Sequence, residues 1–161
     1  MAEENVPGNS EEGKEFGILN IYLKDLSFET PNSPEIFKQK IQPEIDFQMN
    51  TTIVQLEGTI YEVVLAITVT AKQGDKTAFL VEVQQAGIFN ISQHSEDELD
   101  YMLGAYCPHT LFPYARAVVS DLVTHGGFPP LLLAPVNFRA LLNASLDKRR
   151  AAEAAAKQAS H

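Results

Sequence analysis

The feature that most constrains this chain is a change of hydrophobic period near residue 94: before it, apolar residues recur at every second position, and after it at every third or fourth. A period of two belongs to a pleated strand and one near 3.6 to a helix, so a sheet comes first and helices follow. From Glu44 to Asn50 the alternation is strict, with Ile45, Phe47 and Met49 on one face and Glu44, Asp46, Gln48 and Asn50 on the other. A longer run, Ile60 to Ala71, sets Tyr61, Val63, Leu65, Ile67 and Val69 against Glu62, Thr68 and Thr70, and its β-branched side chains suit a pleated surface. Gln73, Gly74 and Asp75 supply a hairpin turn into a fourth strand, Thr77 to Ile91, where Phe79, Val81 and Val83 oppose Leu80, Glu82 and Gln84. A first strand spans Phe16 to Glu29 and is clearest at its end, where Leu26 and Phe28 point one way and Asp25, Ser27 and Glu29 the other. Between the first two strands, Pro31, Asn32, Ser33 and Pro34 mark a crossover loop with Ile36 and Phe37 in one short helical turn.

Helix signals begin at Ser95, which with Glu98 makes a capping box ahead of Leu99, Met102, Leu103 and Tyr106. A second helix is expected from Pro113, a favoured first-turn residue, through Ala115, Val118, Val119 and Leu122 to a stop at Gly126 and Gly127. After a Pro- and Leu-rich loop, Asn137 can cap a last helix through Phe138, Leu141, Leu142 and Leu146, followed by an Ala-rich basic tail. Strands first and helices afterwards predict an α+β fold, a four-stranded antiparallel sheet with helices packed on one face. The organisation expected is a disordered acidic leader at 1–15, one domain at 16–146, and the tail at 147–161. One helical layer leaves the other sheet face open, and strand parity makes that face acidic through Asp25, Glu29, Asp46, Glu62 and Glu82.

The net charge of −9 argues against nucleic acid or an anionic membrane as partner and favours basic polypeptides. The most apolar late stretch, Phe128 to Val136, is broken by Pro129, Pro130 and Pro135 and cannot span a bilayer as a helix. Five glutamates and one lysine in the first fifteen residues do not make a secretory signal. A single cysteine, Cys107, closes no internal disulfide and builds no four-ligand zinc site, so a cytoplasmic location is expected.

Cys107 and His109 could form a nucleophile and base, yet no third group orients the histidine, and an inert buried thiol is the better expectation. His94, His109, His125 and His161 lack metal-ligand spacing, and the glycines form no phosphate-cradling pattern. The carboxylates of the open face sit on no concave pocket, so a solvated face is the plain reading and a docking patch for a basic ligand the sharper one. The loop from Gly126 to Val136, with Phe128, Leu131, Leu132 and Leu133, is more apolar than a surface connection needs; core filling and a binding groove stand about even.

Five segments then carry a resemblance: IYLKDLSFETPNSP at 21–34, YEVVLAITVTA at 61–71, AFLVEVQQAGIF at 78–89, LGAYCPHTLFPYAR at 103–116 and GGFPPLLLAPVNFRAL at 126–141. In this order they resemble the SecB protein-export chaperone family, over most of residues 16–142. The resemblance implies a homotetramer, a dimer of dimers, that holds unfolded precursors of exported proteins without a nucleotide or other cofactor and passes them to the SecA motor. It implies no catalytic residues and no metal, the zinc belonging to the tail of SecA. By resemblance the SecA-docking face falls on Asp25, Glu29, Leu80 and Glu82, which coincide with outward positions picked by parity. Tetramer contacts fall on Val81, Val83 and Gln85, facing inward, together with the helix after Pro113. The client groove falls on Ile45, Phe47 and Met49, with Phe37, Phe128, Leu131 and Leu133 beside them.

The basic tail, with Lys148, Arg149, Arg150 and Lys157, departs from the acidic tail common in that family. A second reading keeps the fold and changes the client: a SecB-like chaperone dedicated to one cytosolic protein, such as an antitoxin. A third is an enzyme built on Cys107 and His109, and a fourth a purely structural oligomer.

Overall fold

The computed structural model describes residues 13–160. Four strands, β1 (Glu15–Glu29), β2 (Glu44–Glu57), β3 (Ile60–Gln73) and β4 (Lys76–Ser92), precede three helices, α1 (Glu96–Tyr101), α2 (Cys107–His125) and α3 (Phe138–Ala159). The strands form one antiparallel sheet in the order β1-β4-β3-β2. Two hairpins place β2, β3 and β4 side by side, and the crossover between β1 and β2 carries the chain from one sheet edge to the other. The expected leader lies outside the described residues up to residue 12. Its last part is built into the fold: Lys14 forms a 2.7 Å ion pair with Glu98, and Glu15 opens β1.

The helical layer covers the face of β3 and β4 made by odd-numbered residues, since α2 lies across β4, β3 and β1. Val63, Leu65, Ile67, Val69, Val81, Val83 and Phe89 are all buried there, against Leu111, Ala115, Val119 and Val123 of α2. Gly87 lets this approach happen: a Cβ at that position would lie 3.1 Å from a Leu111 methyl and 2.7 Å from the Phe89 ring. The opposite face carries no helix and shows Glu82 and Gln84 exposed.

Three expectations change. First, β2 runs to Glu57 rather than Asn50. Adjacent apolar residues Ile53 and Val54 break the alternation that marked the strand, yet the ladder with β3 continues to a bulge at Leu56 and a turn at Gly58, whose φ is +54°. Second, the helix expected to start at Pro113 begins six residues earlier at Cys107, with Pro113 inside it. The chain runs from α1 into α2 through a π-helical turn, Met102–Tyr106, in which the Cys107 N–H donates to the Met102 carbonyl five residues back. That widened turn leads directly into Pro108, which has no N–H to give a regular turn, and Pro113 lies on the exposed side of the helix. Third, α3 passes without a break through the boundary expected at residue 146 and includes the basic tail. The local signals hold as read: Ser95 and Glu98 make both bonds of the capping box, Gly126 caps α2 with Gly127 at φ +88°, and Asn137 accepts from the Ala140 N–H at 3.0 Å.

Candidate functional site

The groove begins with the reach of α2. Because the helix centres on β4, the helix-side face of β2 at the sheet edge remains open: Ile45 is 42% and Phe47 37% exposed, with Met49 partly buried. Facing them runs the loop after α2, which Pro129, Pro130 and Pro135 keep from continuing as helix. Together they line an apolar groove of about 360 Å³, made by Ile45, Phe47, Leu131, Leu132, Leu133, Ala134, Pro135 and Val136. A second hollow of about 200 Å³ shares Ile45 and Leu131 and continues past Ile41, Pro43 and Phe79. A third, about 470 Å³, lies further along β2, between Met49, Thr51 and Ile53 and Gly104, Leu141 and Leu142; it shares no lining residue with the other two and is partly polar through Asn50, Ser145 and Arg149. The three follow β2 along its length.

An aromatic cluster supports the groove from beneath. Phe128 is buried, with ring centroids 4.9 Å from Phe79, 5.0 Å from Phe37 and 6.5 Å from Phe28. Phe128 is therefore floor of the second hollow, while Phe37, 42% exposed, packs on Phe128 and lines none of the three hollows. Gly126 must be small here, because a Cβ would stand 2.1 Å from the Phe28 ring. The crossover loop is tied to the sheet by Gln73, whose side chain accepts from the Gln42 N–H at 2.9 Å and donates to the Lys40 carbonyl at 3.0 Å. Leu131 and Leu133 are partly buried, and Leu132 between them, 83% exposed, is the most exposed large apolar residue of the chain's described part. Leu132 belongs to the loop whose apolar content fits core filling and a binding groove equally, and it is not among the groove residues that the family resemblance implies.

On the open sheet face, Asp25, Glu29 and Glu82 are exposed and Leu80 partly so. Register explains why the acids coexist: Asp25 stands opposite Gln84, Glu82 opposite Ser27 and Glu29 opposite Leu80, so no two carboxylates are directly paired. Glu62 shares the face and is not a free acid. It accepts from the Tyr22 hydroxyl and forms a 2.7 Å ion pair with Lys24. The Lys24 ammonium and the Tyr22 hydroxyl hold its carboxyl below the usual range. Burial, then the bond and the charge of Glu62, push the Tyr22 hydroxyl up to about 12.

The pair Cys107 and His109 is not assembled. Two residues along a helix point to nearly opposite sides, and Cys107 is buried while His109 is exposed. Burial pushes the thiol up to about 12, so it carries no thiolate near neutrality. Among the described residues no cluster of three or more His, Cys, Asp or Glu could hold a metal ion. Nor is any described helix long and apolar enough to cross a membrane.

The Preprotein translocase subunit SecB family model matches residues 9–149. The chain belongs to the SecB family. It is 54% identical to the Protein-export protein SecB of Nitrosococcus oceani, over 96% of this chain and 98% of that one. Identity to the same-named proteins of Hydrogenovibrio crunogenus and Methylococcus capsulatus is 52% in each case, over 92% and 88% of this chain and 96% and 88% of theirs. Among solved structures, a SecB-like chaperone of Mycobacterium tuberculosis, in complex with a peptide from an antitoxin, superposes with a TM-score of 0.63 at 18% identity, covering 75% of this chain and 90% of that one. At that identity the likeness speaks for the fold. The function follows from the family and its export relatives: this chain is a SecB protein-export chaperone.

The residues expected at tetramer contacts occupy a different setting from the open surfaces. Val81 and Val83 are buried beneath α2 within the single chain, and Gln85 is 4% exposed, its side chain donating to the Tyr22 carbonyl at 3.0 Å. They offer no surface of their own.

Proposed function

We propose that the groove along β2 is where this SecB chain holds extended segments of unfolded precursors. The observation that carries this is a continuous channel lined almost wholly by apolar side chains on a protein of net charge −9. Isolated exposed leucines are ordinary on a surface, whereas a contiguous apolar channel is a binding feature. Burial of alternate client side chains gives affinity with little sequence preference, and the acidic surroundings favour basic clients. Ile45 and Phe47 form one wall, Leu131 and Leu133 the other, with Phe128 beneath; Met49 continues the apolar edge of β2 beyond them, and Phe37 packs on Phe128 beside the channel.

Four chains assemble in this reading as a dimer of dimers, so that several grooves act on one client and the second contact becomes intramolecular. Val81 and Val83 serve that assembly indirectly, by supporting α2, and Gln85 by holding the Tyr22 carbonyl of β1. Asp25, Glu29, Leu80 and Glu82 form the face that docks SecA, an acidic patch around one apolar side chain suited to a basic partner. The protein works in the cytoplasm, with neither cofactor nor catalytic step of its own. The alternative, service to one client such as an antitoxin, has less support: the relatives at 52–54% identity carry the export name, and the antitoxin-bound neighbour stands at 18%.

Light scattering with size-exclusion chromatography tests this reading, on the protein alone and mixed with a chemically unfolded, slow-folding precursor. A tetramer that co-elutes with the unfolded chain and ignores the folded one supports it. A monomer, or an oligomer indifferent to unfolded protein, refutes it.

A further inference from the structure

Strand β1 contains one residue more than its partner between Leu23 and Asp25. Leu23 stands opposite Gln85 and Asp25 opposite Gln84, which leaves Lys24 as the extra residue of a bulge. The position of that bulge decides which way its neighbours face, because strand side chains alternate. With the bulge at residue 24, Tyr22, Lys24 and Asp25 share the open face, and Leu26 and Phe28 turn to the helices. Had the extra residue been absorbed nearer the end of the strand, Asp25 would turn under the helical layer and Leu26 would face out.

The hydrophobic pattern specifies this choice weakly. Phe28 is anchored by its stack with Phe79, but Leu26, the only apolar residue between it and the bulge, is 42% exposed and loses little by turning. Other contacts pin the bulge. From the open face, the two carboxylate oxygens of Glu62 hold different residues: Oε2 accepts from the Tyr22 hydroxyl, and Oε1 pairs with the Lys24 ammonium at 2.7 Å. Glu62 lies on β3, so both side chains cross over β4, where Ala86, opposite both Tyr22 and Val64, is small enough to pass beneath. From the other face, buried Gln85 donates to the Tyr22 carbonyl beside the bulge. We infer that Glu62 is a positioning residue: by holding Tyr22 and Lys24 together it fixes the extra residue of β1 at position 24 and keeps Asp25 on the open face. The inference rests on the proposal that this face docks SecA, and it assigns Glu62 a part in that docking without contact to the partner.

The test measures affinity for purified SecA, and for an unfolded precursor, in Asp25→Asn, Glu62→Ala, Lys24→Ala and Glu62→Ala with Lys24 deleted. Asp25→Asn, Glu62→Ala and Lys24→Ala are each expected to weaken SecA binding by roughly fivefold or more, the level of a significant contact, with precursor binding unchanged. Deleting Lys24 removes the extra residue, restores regular alternation and returns the affinity of Glu62→Ala to that of the parent. A Glu62 that touched SecA directly would behave oppositely: Lys24→Ala would strengthen binding, and the deletion would rescue nothing. Either result overturns the inference. Amide hydrogen exchange over residues 23–27 reads the same geometry without SecA. Faster exchange in Glu62→Ala that the deletion reverses supports the inference even where Asp25→Asn leaves SecA affinity unmoved, an outcome that removes only the docking proposal. Parental exchange in Glu62→Ala overturns it.

Discussion

Replacing Leu132 by serine separates client binding from folding more cleanly than any other change in the groove. Its side chain is 83% exposed while lining the channel opposite Ile45 and Phe47. Burying a leucine side chain fully is worth about 1.5–3 kcal/mol, so the exposed part offers a client up to about 2 kcal/mol in each groove, roughly a thirtyfold change in affinity. A client that covers half of it would lose about 1 kcal/mol, or about fivefold. The fold gives up almost nothing, since a substitution on an exposed loop outside any ladder or cap shifts stability within about 0.5 kcal/mol. Titrating a fluorescently labelled unfolded precursor against parent and variant, with urea denaturation alongside, reads both quantities. Loss of affinity of fivefold or more at an unchanged urea midpoint is expected. Unchanged affinity at unchanged stability would refute the placement of the client in this channel.

Gly126→Ala should destabilise by about 1–3 kcal/mol through overpacking alone: its φ of −71° suits any residue, but the new Cβ would meet the Phe28 ring at 2.1 Å. Pairing it with Phe28→Leu should recover part of the loss in urea denaturation, which a backbone cause would not allow. Cys107 should stay unreactive towards a thiol reagent in the native protein and react fully once unfolded, and Cys107→Ala should keep precursor binding. The Tyr22–Glu62 bond should shape the pH dependence of stability on both flanks. Glu62, lowered on folding, stabilises above the unfolded carboxyl range and loses that contribution as pH falls; Tyr22, raised from 10.0 to about 12, stabilises below pH 10 and loses its contribution as pH rises through 12. Tyr22→Phe should abolish the alkaline limb and shrink the acid one in urea midpoints measured across pH. An unaltered alkaline limb would show that Tyr22 ionisation does not drive it.

Much of the architecture was legible because its causes are local. Period two at Ile45 to Met49 and Tyr61 to Val69 reports the pleat, the Ser95–Glu98 box and the Asn137 cap are bonds between residues three apart, and Gly127, at φ +88°, ends a helix by its own backbone freedom. The acidic face followed from the same parity. Reading failed where two rules met in one segment: Ile53 and Val54 side by side hid the second half of β2, and Pro113 looked like a helix start because a π-turn seven residues earlier left no trace in composition.

Taken alone, the sequence determined the element types, the two faces of the strands where their alternation is regular, and the family. Tertiary structure decided which apolar faces were covered. Ile45 and Val69 belong to equally regular strands, yet one is open and the other sealed, because α2 crosses the middle of the sheet and stops short of its β2 edge. The same holds for charge: Glu62 and Glu82 read alike in parity, and only the approach of Tyr22 and Lys24 across Ala86 turns one into a structural clasp while leaving the other open to a partner. Periodicity is set by neighbours along the chain, whereas exposure and pairing are set by residues tens of positions away, and no local pattern records them.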